Sequence, residues 1–202
     1  MPGELPPSEH LVWTETARRT IFDAKVFSVT ISRRQSTDDR KADFTVVESP
    51  DWCNVIAPVR HNGVAHLVMV RQFRHGASAI TTEIPGGVVD PGEDPERAAL
   101  RELQEETGYR ADSLTRIGCT NPNPAFMGNL VHTYVAHNVH RFGDQRLDEN
   151  EQADVVLLPE ADVLSLSHPE FTAHAIMVAA VHWYRLYLQD GLNYDERMKR
   201  QS

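Results

Sequence analysis

This chain of 202 residues has few cysteines, no long apolar run and no excess of positive charge, and each shortage excludes a class of protein. Two cysteines, Cys53 and Cys119, cannot build a disulfide framework, so we expect a reducing compartment, the cytoplasm. No apolar run approaches the ~20 residues of a membrane helix. The Pro-rich, acidic N-terminus lacks the features of a signal peptide, and we expect no membrane association.

The net charge of −9 comes from 29 acidic residues against 20 lysines and arginines. An acidic balance argues against nucleic acid as a partner, because contacts with phosphates need a basic surface. Residues 83–109 hold eight acids and two arginines, and residues 148–154 hold four acids and no base. These two segments carry the whole acidic excess, since the remainder is nearly neutral.

Short runs rich in β-branched and aromatic residues, separated by turn formers, predict strands along most of the chain. The predicted strands span residues 26–31, 44–48, 52–59, 64–71, 80–84, 115–120, 131–136 and 153–158. The first two predict an N-terminal β-hairpin, and His61-Asn62-Gly63 predicts a turn between the third and fourth.

Two helices are predicted. The first has Asp94 as N-cap, Pro95 at its first position and Gly108 as C-cap. The second spans residues 169–189, where apolar residues recur at helical spacing. Strands before, between and after two helices predict an α/β/α sandwich with a mixed β-sheet.

The first helix carries three glutamates on one face. The three are Glu102, Glu105 and Glu106, at positions i, i+3 and i+4. Like charges at this spacing repel each other by roughly a few tenths of a kcal/mol per pair. A hard divalent cation removes that repulsion, because Mg²⁺ prefers carboxylate oxygens and bridges to substrate phosphates. The alternative is a solvated acidic face.

The surrounding residues form a longer pattern, G-x5-E-x7-R-E-U-x-E-E-x-G-U. The fixed positions match at Gly87, Glu93, Arg101, Glu102, Leu103, Glu105, Glu106 and Gly108. Only the last position departs from the pattern, with Tyr109 in place of an aliphatic residue. The segment resembles the signature of the Nudix hydrolases, and the resemblance implies a Nudix-type sandwich with an N-terminal β-hairpin extension.

The resemblance implies a role for each matched residue. Glu102 and Glu106 are then the principal ligands of Mg²⁺, or of Mn²⁺ as a substitute, and Glu105 is a direct or water-mediated third ligand. The backbone carbonyl of Gly86 is a further metal ligand. Glu93 and Arg101 form a structural ion pair, and Gly87 and Gly108 complete the structural positions of the motif.

Segments outside this motif narrow the range of possible substrates. Val70-Arg71-Gln72-Phe73-Arg74 and Glu83-Ile84-Pro85-Gly86-Gly87 resemble the ADP-ribose pyrophosphatase branch, as does a proline, Pro124, 16 residues after Gly108. The loop at residues 121–127 resembles one that lies beside the substrate in that branch. The predicted substrate-binding residues are Arg71, Arg74, Glu83, Pro124 and Phe126. Arg71 is favoured for a phosphate, with an ordinary salt bridge as the alternative for either arginine.

The general base has three candidates. Asp148-Glu149-Asn150-Glu151 resembles a loop that supplies a catalytic glutamate in ADP-ribose pyrophosphatases, which favours Glu151 over Glu149. In other Nudix enzymes the base lies within the motif, which here is Glu105. The alternative for residues 148–151 is a solvated acidic turn, of which their composition alone is typical.

The implied reaction is metal-dependent hydrolysis of ADP-ribose and related nucleoside diphosphate sugars to a nucleoside monophosphate and a sugar phosphate. The alternatives are a preference for GDP-mannose or another nucleotide sugar, and a catalytically silent domain that binds a nucleotide sugar. The predicted organisation is a disordered tail at 1–10, a β extension at 11–49, a Nudix domain at 50–192 and a polar tail at 193–202. The resemblance also implies a homodimer built on the β extension, which otherwise caps the sheet.

Overall fold

The computed structural model describes residues 6–201, which contain thirteen strands and five α-helices. The strands are β1 (Trp13–Asp23), β2 (Ser28–Ser36), β3 (Lys41–Glu48), β4 (Trp52–Ile56), β5 (Pro58–His61), β6 (Val64–Arg74), β7 (Ala79–Glu83), β8 (Gly86–Val88), β9 (Tyr109–Arg110), β10 (Ser113–Thr120), β11 (Val131–His137), β12 (His140–Arg141) and β13 (Ala153–Pro159). The helices are α1 (Pro95–Thr107), α2 (Glu160–Ser165), α3 (Pro169–Thr172), α4 (Ala175–Asp190) and α5 (Tyr194–Gln201).

The chain divides into two compact units, and the first holds the described residues up to Pro50 together with Asn123–Asn129. Its core is a three-stranded antiparallel sheet in the order β1-β2-β3. The central strand supplies the buried polar residues Thr30, Ser32 and Ser36. The backbone of Val47 in β3 donates to the carbonyl of Phe126 over 2.7 Å, which ties the returning segment to the sheet.

The N-terminal hairpin predicted from the sequence is the β2–β3 pair, but β1 adds a third strand. The prediction missed β1 because its residues are mostly polar and exposed, so no alternation of apolar side chains marks it. Of the predicted disordered tail, residues 1–5 lie outside the described residues, and Glu9–Leu11 forms a short 3-10 helix.

The second unit comprises Asp51–Pro122 and the described residues from Leu130 onward, and it contains two four-stranded sheets. One has the order β10-β11-β4-β8, and in the other β6 pairs with β13, β5 and β7. The β11–β4 pair is parallel, while the remaining pairs of both sheets are antiparallel. The predicted mixed sheet is therefore confirmed.

Helices cover both faces of the strands in this unit. Val55 of β4 belongs to a buried cluster with Ala98 and Leu103 of α1. The next residue, Ile56, belongs to a second cluster with Met177 of α4. Successive side chains of a strand point to opposite faces, so apolar runs without alternation mark strands that are covered on both sides. This arrangement confirms the predicted α/β/α layers.

The C-terminal helices differ from the prediction in two respects. The single helix predicted at 169–189 is broken into α3 and α4, and His174 caps the start of α4 by accepting a hydrogen bond from the amide of Met177. The tail, for which the sequence showed no packing face, contains α5. Asn193 caps it, and the buried Arg197 pairs with Asp190 at 2.8 Å. None of the helices in residues 6–201 has the length and apolar character to span a membrane.

Candidate active site

Two glycines bring strand β8 unusually close to its neighbours. Gly86 lies opposite Asn54 of β4, and a Cβ atom at Gly86 would lie 2.2 Å from the carbonyl oxygen of Cys53. A Cβ atom at Gly87 would lie 2.5 Å from the carboxyl carbon of Glu102. A side chain at Gly86 would displace the neighbouring strand, so that backbone approach requires glycine, whereas a side chain at Gly87 would displace the carboxyl group of Glu102.

Helix α1 forms where its caps predicted it. The side chain of Asp94 accepts hydrogen bonds from the first-turn amides, and Gly108 ends the helix in the left-handed conformation, with a φ of 72°. Ala98, Ala99 and Leu103 are fully buried against the sheet. Because that face is fixed by packing, the glutamates on the remaining face are directed toward a cleft.

A single guanidinium holds the acidic groups of this helix together. Arg101 Nη1 donates to Glu102 at 2.8 Å and to Glu105 at 3.2 Å, while Nη2 donates to Glu93 at 2.9 Å. Nη2 also donates to the carbonyl of Val88. The hydrogen bonds from Arg101 hold the pKa of Glu93 below its usual range. The expected Glu93–Arg101 pair is present, and Arg101 also binds two of the predicted metal ligands, Glu102 and Glu105.

Glu106 has the most strongly altered environment of the cluster. Its Oε2 accepts a hydrogen bond from the amide of Gly86 at 2.8 Å. Burial of the carboxyl group raises the pKa of Glu106 to about 8 against the lowering effects of the Gly86 hydrogen bond and of Arg74, and the negative charges of Glu102 and Glu151 add to the rise. Burial also raises the pKa of Glu102. Burial of Glu106 therefore favours the neutral form of its carboxyl group.

These groups open onto a cleft of about 450 Å³. The residues that line it are Gln72, Arg74, Gly86, Gly87, Val88, Asp90, Arg101, Glu102, Glu105, Glu106, Arg146, Leu147, Asp148 and Glu151. The cleft thus combines the glutamates of α1 with residues from β6, β8 and the segment between β12 and β13.

The two arginines of β6 face opposite sides. Arg71, the favoured phosphate ligand, forms a bidentate pair with Glu170 of α3 and does not line the cleft. Arg74 lines the cleft and forms a bidentate pair with Glu83 at 2.8 and 2.7 Å. Burial works to raise the pKa of Glu83, but the paired guanidinium keeps it below its usual range. The salt-bridge alternative therefore describes both arginines, and only Arg74 can also reach a ligand in the cleft.

The acidic loop before β13 places its two candidate bases differently. Glu151 lines the cleft, and its carboxylate accepts a hydrogen bond from the amide of Asp148 at 3.2 Å. Glu149 is exposed and is not part of the cleft wall. Geometry therefore favours Glu151 of the two, while Glu105 also lines the cleft.

The other predicted substrate residues, Pro124 and Phe126, belong to the first unit. Phe126 is 44% exposed, and the amide of Ala125 is bonded to the side chain of Asn123. Their role in substrate binding stays a prediction.

The donor set suits a hard cation. Glu102, Glu105 and Glu106 offer only carboxylate oxygens, and the carbonyl of Gly86 offers another oxygen, as Mg²⁺ and Mn²⁺ prefer. Within residues 6–201, no three acidic, histidine or cysteine side chains already converge in a metal-holding arrangement. Arg101 and the Gly86 amide occupy the carboxylate oxygens instead.

Sequence reasoning missed Gln72, Asp90 and Arg146 as cleft residues. Strand alternation could have found Gln72, because it lies two positions before Arg74 and so on the same face. No local signal marks Arg146, because a loop far along the chain brings it to α1.

The chain is similar to known proteins along most of its length. A model of the NUDIX domain matches residues 53–181. The chain is 32% identical over 171 residues to an ADP-ribose pyrophosphatase of Bacillus subtilis, covering 84% of this chain and 91% of that protein. It is 28% identical over 198 residues to an ADP-sugar pyrophosphatase of Mus musculus, covering 92% and 90%. A solved structure of an ADP compounds hydrolase shares the fold, with a TM-score of 0.75 at 24% identity, covering 88% of this chain and 94% of that one.

The central position of Arg101 predicts a loss of stability when its charge is removed. In Arg101→Gln, three carboxylates lose their common donor, so the free energy of unfolding should fall by about 1–3 kcal/mol. Urea denaturation in the presence of a chelator measures this. The control is Arg97→Gln on the same helix. Arg97 is exposed and has no ion-pair partner among the described residues, so its replacement should change stability by less than about 0.5 kcal/mol. Equal losses in the two variants would contradict the assignment.

Proposed function

The chain belongs to the Nudix family of hydrolases, and from that premise we propose that it hydrolyses the diphosphate bond of ADP-ribose and related nucleoside diphosphate sugars. The products are a nucleoside monophosphate and a sugar phosphate, AMP and ribose 5-phosphate from ADP-ribose. The observation that carries the proposal is the carboxylate face of α1, which opens onto a 450 Å³ cleft beside Arg74 and Glu151.

Nudix hydrolases generally need divalent metal ions, and we propose Mg²⁺ here, with Mn²⁺ as a substitute. Glu102 and Glu106 are the proposed principal ligands, with Glu105 and the carbonyl of Gly86 completing the set. When bound, the cation neutralises the diphosphate and lowers the pKa of an attacking water. The oxygen-only donor set supports this choice over softer metals.

For the general base we propose Glu151. It takes a proton from the attacking water, whose oxygen forms a bond to one phosphorus while the bridging P–O bond breaks. The bridging oxygen leaves with the other phosphate. Glu151 is supported by its place in the cleft wall, whereas Glu149 does not line the cleft. Glu105 is the remaining alternative.

Substrate binding is proposed to use Arg74, held in place by Glu83. Pro124 and Phe126, in the first unit, stay predicted substrate-binding residues. The two hydrogen bonds between Arg74 and Glu83 fix the plane of the guanidinium. Arg71 stays the weaker candidate, because Glu170 already occupies its guanidinium.

The function is tested by a panel of ADP-ribose, GDP-mannose and a dinucleoside polyphosphate, each with Mg²⁺ and a coupled phosphatase that releases phosphate from the products. We expect the highest kcat/KM for ADP-ribose. A preference for GDP-mannose would favour the alternative substrate. If no substrate gave metal-dependent release, the chain would be a silent nucleotide-sugar-binding domain, although it retains every glutamate of the motif.

The metal assignment predicts that Glu106→Gln separates activity from stability. A glutamine oxygen can still accept the Gly86 hydrogen bond, so the free energy of unfolding in chelator should stay within about 1 kcal/mol of the original. Turnover of ADP-ribose should fall by about two orders of magnitude or more, because the metal contributes several kcal/mol to the transition state. Glu96→Gln, in the exposed first turn of α1, is the matched control and should keep its turnover. Undiminished turnover in Glu106→Gln would refute the assignment.

The choice of general base predicts a contrast between two neighbours. Glu151→Gln should lower kcat by about 10²–10⁴-fold, the range of general base catalysis. Glu149→Gln, the same substitution at an exposed site outside the cleft wall, should leave kcat within about twofold. Steady-state kinetics at saturating Mg²⁺ distinguishes them. A large loss of kcat in Glu149→Gln alone would identify Glu149 as the general base. A loss confined to Glu105→Gln would identify Glu105 of α1 instead.

We further propose that the protein is a homodimer and that it works in the cytoplasm. The first unit exposes large apolar side chains, which supports a surface that a second copy covers: Ile21, Phe22, Val26, Phe27 and Phe44. Both cysteines are unpaired, as a reducing compartment requires. Light scattering at micromolar concentration should give twice the chain mass of 22.8 kDa, and a monomer would refute the dimer.

A further inference from the structure

The cleft contains three arginines, and two of them are already neutralised. Arg74 is paired with Glu83, and Arg101 is shared among three glutamates. Arg146 is the third. Within residues 6–201, its guanidinium has neither a carboxylate within ion-pair distance nor a side-chain hydrogen bond. Arg146 therefore brings the cleft a positive charge that is not held in a direct ion pair with any described residue.

The backbone of Arg146 is nevertheless held firmly. Its amide donates to the carbonyl of Glu105 over 2.8 Å. The side-chain amide of Gln145 donates to the carbonyl of Glu106 at 2.7 Å and to that of Ala153 at 3.1 Å. The carbonyls of Glu105 and Glu106 lie in the last turn of α1, where no helical partner is available. The same turn of helix thus presents two carboxylates and anchors the arginine.

The loop that carries Arg146, residues 142–146, is also held at its beginning. The amides of Phe142 and Gly143 donate to the carbonyl of Gly108 at 2.9 and 3.1 Å. The guanidinium of Arg110 stacks over the Phe142 ring, 3.3 Å from its centroid. Residues 142–146 are therefore fixed at both ends, while the side chain of Arg146 is exposed and unpaired.

We propose that Arg146 binds a non-bridging phosphoryl oxygen of the substrate's diphosphate group, a role that rests on the proposed function. The cleft wall contains six acidic residues, so a diphosphate with about two negative charges needs positive groups beyond the bound cation. A guanidinium offers the planar, two-pronged donor that suits phosphate. Glutamates already neutralise most of the charge of Arg74 and Arg101. Of the three cleft arginines, this leaves Arg146 to neutralise the charge of the diphosphate.

The test measures the binding of ADP in the presence of Mg²⁺ by isothermal titration calorimetry, with KM and kcat for ADP-ribose measured in parallel. Arg146→Gln should weaken ADP binding and raise KM by about tenfold or more, with a smaller change in kcat. Arg146→Lys keeps the charge and should recover part of the affinity. The matched control is Arg141→Gln, an exposed arginine of the same region that pairs with Asp144 at 3.3 Å and should change neither value.

The outcomes distinguish phosphate binding by Arg146 from a general charge effect and from a role in turnover alone. An unchanged Kd for ADP in Arg146→Gln overturns it, as does equal weakening in Arg141→Gln, which would be a general charge effect. A fall in kcat at constant Kd and KM also overturns it, because a binding contact is then not involved. If the unsubstituted protein binds ADP but hydrolyses no ADP-ribose, the proposed function fails while the ADP affinities still decide the role of Arg146. If the unsubstituted protein hydrolyses ADP-ribose but binds no ADP, the proposed function stands and the KM for ADP-ribose decides the role of Arg146: an unchanged KM in Arg146→Gln overturns it.

Discussion

The repulsion among the carboxylates of α1 is the constraint on which the rest of the site depends. Glutamates three and four positions apart crowd one helix face, and partial burial increases the mutual repulsion because the surroundings screen it poorly. The packing of Leu103 and its alanine neighbours fixes the opposite face, so the helix cannot rotate to separate them. Arg101 keeps Glu102 and Glu105 in place, and burial of Glu106 raises its pKa, which disfavours a third charge.

The surrounding backbone is shaped to this cluster. Gly86 and Gly87 let β8 approach both β4 and the carboxyl of Glu102 more closely than any side chain would permit. The amide of Gly86 is directed at Glu106. A site that stabilises carboxylates through main-chain and arginine donors is one in which a divalent cation can replace those donors. Gly86 and Gly87 are thus explained by the close approach of the backbone, and Arg101 by the negative charges around it.

Features defined by neighbours in the sequence could be predicted, and features defined by distant contacts could not. The bounds of α1 followed from Asp94 and Gly108, because capping is local. By contrast, β1 carries few buried apolar residues, so its pairing with β2 left no periodic signal. The helix α5 was missed even though Asn193 and Glu196 form a reciprocal cap, because its packing depends on contacts with earlier elements.

The sequence by itself determined the chemistry of this protein: a run of carboxylates at helical spacing, bracketed by glycines, with an arginine among them. Residue type and spacing along one helix are sufficient for that, since neighbouring turns fix their relative positions. Only the tertiary structure decided that Arg74 faces the cleft while Arg71 turns to Glu170, and that Arg146 reaches α1 from a distant loop. Which side of a strand faces a site, and which loop closes over it, depends on contacts between residues far apart in the chain.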